Sequence, residues 1–508
     1  MSLSYLPVVG IEFGSTRIKA VAIDGVCRPV ASGAHEWENA LQNGVWTYSL
    51  ADAAAGLRDA FARLKADYAE KTGARLTRLG ALGISGMMHG YLPFDRGGRQ
   101  LCEFRTWRNT ITGEAAERLT GAFQFNIPQR WSVAHLYQEI LNDSAHVRSI
   151  DFLTTLAGYF HWQLTGQKVA GVGEASGMFP IDPETCDYHQ GMADRFEAMV
   201  AERRYPWRVR GILPKVLPAG ESGGCLTEAG ALLLDPSGEL EAGCPVAPPE
   251  GDAETGMVAT NSVVPRTANV SAGTSIFTLV VLERALKGLY PEIDVVATPT
   301  GKLVAMSHAN TCTSDLNAWV KLLGGDYSRL FRESLNGDPD CGGVVTVPYV
   351  SGEPVTGFSE GRPLVLRAAD AKFTLANFMR ANIYSAFVTM KLGLDKLKPE
   401  GLRIDSVTGH GGIFKDRGVA QQYLADALES PVTCMETAGE GGPWGMALLA
   451  AYALKSQSGV SLDTFLGEVF ASAEKETLAP TPEGVAGFKA YAERFSKALA
   501  AERAALSL

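Results

Sequence analysis

Two short glycine turns carry the first residues in this sequence that could do chemistry. Gly14-Ser15-Thr16 follows an apolar run that contains Glu12, with Lys19 three residues further on, and Gly273-Thr274-Ser275 repeats the turn in the second half of the chain. A glycine turn lets backbone N–H groups face an anion with no side chain in the way, and the hydroxyls add donors. One such turn is equally typical of an ordinary hairpin, but the pair indicates two phosphate-binding turns.

Two carboxylates could complete a site for phosphoryl transfer. That reaction needs donors around the phosphates, carboxylates for Mg²⁺ and a group that takes the proton of the acceptor. Glu12 adjoins the first turn and could hold Mg²⁺ through water. Asp252 follows Gly251 in a segment rich in proline and glycine, where it could act as a general base. A solvated loop aspartate is the alternative that its immediate surroundings favour.

A histidine, a tryptophan and an asparagine could bind a small hydroxylated substrate. Met88-His89-Gly90 follows an apolar strand, and ligands usually bind at strand ends in open α/β sheets. Trp107 could pack on the apolar face of a sugar ring, while the Asn109 amide could donate to and accept from hydroxyls. The alternatives are a structural histidine, a core tryptophan and a surface asparagine.

Several glycines near the end of the chain could line a nucleoside site. Gly409, Gly411 and Gly412 follow a predicted strand, and Gly445 opens an alanine-rich segment. Glycines at these places would let an adenine and a ribose lie against bare backbone. Taken alone, the two segments are better explained as the N-terminal turns of helices.

The composition is that of a globular protein and excludes several classes of function. The chain has 508 residues, 46% of them hydrophobic and 20% charged, which predicts two or more domains. A net charge of -10 gives no reason to bind nucleic acid or an anionic membrane. No apolar run is long enough for a membrane span. The eight cysteines form no CxxC pair, and Met1–Pro7 lacks a signal pattern, so we expect a reduced, cytoplasmic protein.

The elements around the two turns predict an internal duplication. Strands at Val8–Phe13 and Ile18–Ile23 flank the first turn, and strands at Ala268–Ser271 and Ile276–Leu282 flank the second, half the chain later. Gly243–Gly256 is predicted to be a loop that bridges the halves. Further predicted elements are helices near Ala53–Lys71, Arg417–Ala427, Trp444–Leu454 and Phe488–Leu506, and strands near Leu79–Ile84 and Ile404–Val407.

Taken in order, these segments resemble the FGGY family of carbohydrate kinases, on the hexokinase/actin/heat-shock ATPase fold. The resemblance covers about residues 8–455 and rests on the order of the motifs rather than on any one of them. The similar segments are Gly10–Lys19, Gly83–Gly90, Trp107–Asn109, Leu164–Gly177, Gly251-Asp252, Gly273–Ser275, Pro348–Glu353, Gly411-Gly412 and Gly445–Ala447.

The resemblance implies an α/β protein with two actin-like, ribonuclease H-like domains facing each other across a cleft. We expect a sugar-binding domain over 1–260, a nucleotide-binding domain over 261–508, ATP and Mg²⁺ as cofactors, and a small sugar as substrate. Homodimers are common in the family. Expected roles are catalysis by Asp252, metal binding by Glu12 and Asp252, substrate binding by Met88, His89, Trp107, Asn109 and Asp252, and ATP binding by Gly14, Ser15, Thr16, Lys19, Gly273, Thr274, Ser275, Gly411, Gly412 and Gly445.

Three positions depart from the family pattern and keep other functions open. Glu12 and Asn109 each stand where the family usually has Asp, and Pro354-Val355-Thr356 replaces its Arg-x-Pro. The Met88-His89-Gly90 segment is similar to that of xylulokinases and favours a pentulose such as xylulose, with ribulose, other ketoses and polyols as alternatives. A sugar- or nucleotide-sensing pseudokinase and the ATPase activator of a dehydratase are the other candidate functions.

Overall fold

The computed structural model describes residues 6–435 and 441–508. Contacts divide them into two compact units. The first contains 6–263, 295–303 and 441–472, and the second contains 264–294, 304–435 and 473–508. The main division lies close to the boundary predicted at residue 260. The segments 295–303 and 441–472, however, pack with the first unit although they follow that boundary in sequence.

Both units contain strands and helices. The strands are β1 (Val8–Phe13), β2 (Arg17–Ile23), β3 (Pro29–Glu36), β4 (Ala40–Gln42), β5 (Val45–Thr47), β6 (Ala81–Gly86), β7 (Leu92–Phe94), β8 (Phe152–Thr154), β9 (Val169–Gly171), β10 (Ile181–Asp182), β11 (Asp187–Tyr188), β12 (Lys215–Leu217), β13 (Glu250–Gly251), β14 (Thr267–Ala272), β15 (Ile276–Val281), β16 (Ile293–Ala297), β17 (Leu303–Ala309), β18 (Val344–Val347), β19 (Leu364–Arg367), β20 (Ser406–His410), β21 (Val432–Met435) and β22 (Lys475–Leu478).

The α-helices range from single turns to long amphipathic segments. They are α1 (Leu50–Thr72), α2 (Gly113–Phe123), α3 (Ser132–Leu141), α4 (Leu156–Thr165), α5 (Val172–Ser176), α6 (Gln190–Val200), α7 (Val209–Ile212), α8 (Glu228–Leu234), α9 (Asp252–Ala259), α10 (Ser314–Leu322), α11 (Tyr327–Ser334), α12 (Leu375–Asp395), α13 (Val419–Leu428), α14 (Gly441–Lys455), α15 (Leu462–Phe470) and α16 (Pro482–Ala505).

The first unit is built on a five-stranded sheet in the order β13-β6-β1-β2-β3. β1, β2 and β3 are antiparallel neighbours joined by short turns, whereas β6 and β13 run parallel to β1. The parallel strands are nearly all buried, as sheets covered on both faces require. The second sheet has the order β16-β17-β15-β14-β20-β21-β22, in which β17, β15, β14, β20 and β21 correspond to β3, β2, β1, β6 and β13 of the first sheet. This repeat of strand order confirms the duplication that the two turns predicted.

Each unit has its own hydrophobic core. In the first, α1 buries Leu57, Phe61 and Leu64 against the sheet, as its helical spacing predicted. In the second, α16 buries Phe488 and Tyr491 together with residues of α12 and α13. The C-terminal amphipathic helix is therefore part of the second core, as expected from its apolar face.

The prediction of a loop over Gly243–Gly256 is wrong at its C-terminal end. Glu250-Gly251 forms β13 at the edge of the first sheet, and Asp252 begins α9. The proline and glycine content of this segment is typical of a loop, so its two-residue strand could not be recognised from the sequence. The acidic first turn of α9, with Asp252 and Glu254, is the helix-start signal that could have revealed the helix.

Candidate functional site

The carboxyl ends of three parallel strands of the first unit meet at one edge of its sheet. Glu12 on β1 lies in register with Ser85 on β6, and Gly251 on β13 lies in register with Gly86. The residues that follow these strands must therefore emerge together, which is where open α/β sheets bind ligands. They are the Gly14–Thr16 turn, the Met87–Gly90 segment and Asp252. The structure thus assembles most of the residues predicted in the first half of the chain.

The first turn closes the hairpin that the sequence predicted. Phe13 pairs with Ile18 across β1 and β2, and the Gly14 N–H donates to the Arg17 carbonyl at 3.0 Å. Thr16 is exposed at the tip. Lys19 lies on β2 directly opposite Glu12, so both predicted charged groups of this motif flank the turn.

Glu12 and Asp252 form a coupled pair of carboxylates. Burial, and then the neighbouring Asp252, raises the pKa of Glu12 to about 8, while Lys19 opposes that rise. Burial raises the pKa of Asp252 to about 6. The Met88 N–H donates to Asp252 Oδ1 at 3.3 Å and favours its ionised form. Because both carboxyl groups are partly buried and have raised pKa values, a bound divalent cation would stabilise their ionised forms.

His89 is held in a strained conformation beside this pair. Its φ of +69° lies in the left-handed region, which non-glycine residues adopt uncommonly. Its Nδ1 lies 3.0 Å from the Gly177 carbonyl, so Nδ1 carries the proton. Burial lowers the pKa of His89 to about 3, so the ring is neutral and its Nε2 can accept a hydrogen bond.

Trp107 and Asn109 have different surroundings. Trp107 is 38% exposed, and its indole N–H donates to Ser15 Oγ at 3.1 Å, which ties it to the first turn. Asn109 is buried, and its amide pairs with the backbone of Trp46 through two hydrogen bonds of 2.8 Å. A third bond joins Nδ2 to the Thr106 carbonyl, so both amide hydrogens are used within the protein. Only a lone pair on Oδ1 is left for a ligand.

Glycines of the first unit bring helix α14 onto the sheet and against α9. A Cβ on Gly10 would collide with the Pro443 carbonyl, and one on Gly445 would collide with the Thr255 carbonyl. A Cβ on Gly442 would overlap the Glu12 carboxylate. Helix packing is therefore the visible reason for glycine at 445, and ATP binding by Gly445 stays a prediction.

In the second unit, the Gly273–Ser275 turn is held by the segment before α10. The Cys312 N–H donates to the Thr274 carbonyl at 2.9 Å, and Thr313 Oγ1 donates to the Gly273 carbonyl at 2.8 Å. The turn itself is exposed. It closes the β14–β15 hairpin, so the predicted strand–turn–strand pattern is present in both units.

A buried glutamate, Glu353, accepts a hydrogen bond from the chain just before this segment. Glu353 Oε2 accepts from the Asn310 N–H at 2.8 Å, and Asn310 Nδ2 donates to the Gly352 carbonyl at 2.6 Å. Burial raises the pKa of Glu353 to about 7. The Pro348–Glu353 segment therefore has a structural role next to the second turn.

Two further predicted glycines lie at the end of β20 in the second unit. Gly411 has a φ of +112°, and a Cβ there would collide with the Ala272 carbonyl at the end of β14. A Cβ on Gly412 would meet no atom within 4 Å. The backbone at 412 is thus open to a ligand, whereas Gly411 is required by the close approach of two strands.

Sequence reasoning missed three buried glutamates beside Asp252. Glu174, Glu250 and Glu254 are each at most 1% exposed, and Glu250 Oε2 accepts from the Glu174 N–H at 2.8 Å. Burial raises the pKa of Glu250 to about 8 and those of Glu174 and Glu254 well above the ordinary value. The only sequence signal was that Glu250 and Glu254 flank Asp252 at two residues on either side.

Residues 6–435 and 441–508 contain neither a three-ligand metal cluster nor a helix suited to cross a membrane. No group of three or more His, Cys, Asp and Glu side chains in these residues is arranged to hold a metal ion. Glu12 and Asp252 are two carboxylates, which suits Mg²⁺ because that ion commonly takes its other ligands from phosphates and water. No described helix is both long and apolar enough to cross a membrane.

Comparison with known proteins gives a consistent result over both units. The N-terminal domain of the FGGY family of carbohydrate kinases matches residues 7–258, and its C-terminal domain matches residues 268–454. The xylulose kinase of Haemophilus influenzae is 24% identical over 379 residues, which are 71% of this chain and 73% of that protein.

Solved structures of similar fold cover almost the whole chain. A xyloylose kinase from Brucella ovis has a TM-score of 0.81 at 20% identity, with 97% of this chain and 99% of that chain covered. A gluconate kinase from Lactobacillus acidophilus has a TM-score of 0.82 at 14% identity, with 98% of each chain covered. At these identities the likeness establishes the fold, and the expected two-domain ATPase fold is confirmed.

Proposed function

This chain belongs to the FGGY family of carbohydrate kinases, and we propose that it transfers the γ-phosphoryl group of ATP to a pentulose with Asp252 as general base. One observation carries the assignment of the base. Asp252 is held by the Met88 N–H at the edge where β1, β6 and β13 end, with a pKa raised to about 6. A group with that pKa is ionised at neutral pH yet basic enough to take a hydroxyl proton.

The substrate site proposed here is the surface formed by Met88, His89, Trp107 and Asp252. The neutral His89 can accept a hydrogen bond from a sugar hydroxyl through Nε2, and the exposed face of Trp107 can pack on the apolar side of the sugar. A xylulose kinase among the relatives supports xylulose as the substrate, with ribulose or a related polyol as the alternatives. Asn109 is proposed to act on this site indirectly, because its amide holds the backbone of Trp46 in place.

The phosphates of ATP are proposed to bind the Gly14–Thr16 turn and, in the second unit, the Gly273–Ser275 turn. Thr16 and Thr274 are exposed and can donate to phosphate oxygens. Lys19 adds positive charge beside the first turn, and the open backbone of Gly412 suits the nucleoside. Gly411 and Gly445 contribute by letting neighbouring backbone pack closely.

Mg²⁺ is proposed to be held by Glu12 and Asp252. When bound, it neutralises charge on the phosphate groups. The fit rests on the coupling of the two carboxylates, since the Asp252 charge helps to raise the pKa of Glu12. The longer side chain of Glu12 fits here because Gly442 leaves room for its carboxylate. Membership of the family sets aside the dehydratase-activator alternative, and the assay below separates a kinase from a sensing pseudokinase.

The test is sugar-dependent ADP release from Mg-ATP over a panel of ketoses, aldoses, polyols and gluconate. We expect a pentulose to give the highest kcat/KM, and Asp252→Asn to lower kcat by about 10²–10⁴-fold with nucleotide binding retained. Asp52→Asn is the matched control, because Asp52 also lies in the first turn of a helix but is exposed on α1. Near-normal turnover by folded Asp252→Asn would show that another group is the base.

A further inference from the structure

All three carbonyl groups of the first turn are held from one side by aromatic residues. The Trp37 indole N–H donates to the Gly14 carbonyl at 2.7 Å, and the Tyr48 hydroxyl donates to the Ser15 carbonyl at 2.5 Å. The backbone N–H of Trp37 donates to the Thr16 carbonyl at 3.2 Å. A glycine turn can rotate its peptide planes easily, so three such bonds are a constraint that the turn does not supply itself.

The direction of the carbonyls fixes the direction of the N–H groups. Across a trans peptide the carbonyl of one residue and the N–H of the next point in opposite directions. The N–H groups of Ser15 and Thr16 therefore point away from the aromatic residues. Neither of them donates a hydrogen bond to another part of the described chain. The turn thus presents two unused donors on the side opposite Trp37 and Tyr48, as a phosphate site requires.

A third aromatic residue acts on the side chain of the turn. Trp107 donates its indole N–H to Ser15 Oγ at 3.1 Å. Since Ser15 Oγ is the acceptor in that bond, its own hydroxyl hydrogen remains available as a donor. Trp107 also belongs to the proposed sugar surface, so one residue contacts both the turn and the substrate region.

Trp37 and Tyr48 also support each other. Their rings stack with centroids 4.2 Å apart and planes 27° from parallel, and both side chains are buried. Burial raises the pKa of Tyr48, so its hydroxyl stays protonated and remains a donor. Trp37 follows β3, and Tyr48 lies between β5 and α1, so two separate segments converge on one turn.

We propose that Trp37 and Tyr48 form an aromatic brace that sets the peptide orientation of Gly14–Thr16 before ATP binds, while Trp107 orients the Ser15 hydroxyl. Toward the nucleotide all three are positioning residues, and the inference rests on the proposed phosphate-binding role of this turn. Donors that already point at the phosphate need no reorganisation during the reaction, which is the condition for effective electrostatic stabilisation. Loss of a brace bond frees the peptide to rotate and weakens nucleotide binding.

The test compares Tyr48→Phe and Trp37→Phe with two matched controls. Tyr452→Phe removes a tyrosine hydroxyl that donates to the Val460 carbonyl at 3.2 Å, and Trp207→Phe removes an indole N–H that donates to the Val147 carbonyl at 2.8 Å. Calorimetric titration with Mg-ADP and with an ATP analogue whose β–γ bridge cannot be cleaved measures affinity without turnover. Kinetic assays then give kcat and KM for ATP and sugar separately.

Each brace variant is expected to bind both nucleotides about three- to tenfold more weakly, as for one lost hydrogen bond. Tyr48→Phe should raise the KM for ATP and leave the KM for sugar unchanged, whereas Trp107→Phe should raise both. Nucleotide affinities within twofold of wild type in Tyr48→Phe and Trp37→Phe would overturn the inference, and so would equal losses in the controls. Because binding is measured without sugar, failure of the proposed sugar kinase activity would be seen separately, as absent sugar-dependent ADP release.

Discussion

At the residue scale, the proposed chemistry of this protein depends on two carboxylates that are largely removed from water. Glu12 and Asp252 are ordinary acids by sequence, but burial raises their pKa values to about 8 and about 6. The sequence could name both residues because they adjoin glycines in a recognisable order. It could not give their protonation, since desolvation depends on residues such as Met88 and Gly442 that approach from other parts of the first unit.

A pH profile tests the state of Asp252. A general base must be ionised, so kcat/KM for Mg-ATP, which reports the enzyme before Mg²⁺ reaches Asp252, is expected to fall tenfold per pH unit below about pH 6. The profile should be measured at low Mg-ATP and saturating sugar and checked against the pH stability of the enzyme. An acid limb near pH 4, the ordinary range for an aspartate, would mean that Asp252 is not the group that titrates.

At the element scale, the glycines of the motifs serve packing as well as ligands. Gly10 on β1 and Gly83 on β6 lack side chains where α14 crosses the sheet, and Gly445 does so where α14 meets α9. These contacts fix the N-terminus of α9 and with it Asp252. The strand–turn–strand pattern predicted the hairpin correctly. The helix that covers this hairpin, α14, comes from a distant part of the chain. Its packing is therefore not predictable from the local sequence, which favours nucleotide binding as the role of Gly445.

Helix packing at Gly445 is tested by adding one methyl group. Gly445→Ala places a Cβ against the Thr255 carbonyl and is expected to lower the free energy of unfolding by about 1–3 kcal/mol. Gly256→Ala is the control, because a Cβ there meets nothing within 4 Å on helix α9, and it should be neutral or stabilising by up to about 1 kcal/mol. Denaturant unfolding measures both, and equal stability of the two variants would contradict the packing role.

At the scale of the whole molecule, acid groups with raised pKa values are concentrated in the first unit. Glu12 and Glu250 have pKa values of about 8, and Glu174 and Glu254 are raised well above the ordinary value. In the second unit the clearest case is Glu353, at about 7. The folded first unit therefore holds protons that the unfolded chain releases above about pH 4.5.

The two units should consequently differ in their response to pH. A raised carboxyl pKa contributes stability that is complete below the unfolded pKa and is lost as pH rises through the folded pKa, here up to about 8. Hydrogen exchange at about pH 5.5 and about pH 8.5, corrected for intrinsic rates, should show the larger loss of protection in peptides of 6–263. Glu250→Gln should reduce that loss, because an amide keeps an acceptor for the Glu174 N–H and cannot ionise. Equal losses in both units would contradict the prediction.

The sequence by itself determined the fold class, the duplication and the family. Local order carried that information: strand–glycine turn–strand occurs twice, and each residue of the hairpins at 8–23 and 267–281 has its partner close by in the chain. Tertiary structure decided the rest. Asn109 is paired with Trp46, Gly445 packs on α9, and Glu174 and Glu250 lie buried beside Asp252. These assignments depend on contacts between residues far apart in sequence, where burial and hydrogen-bond partners are set by packing and leave no local pattern to read.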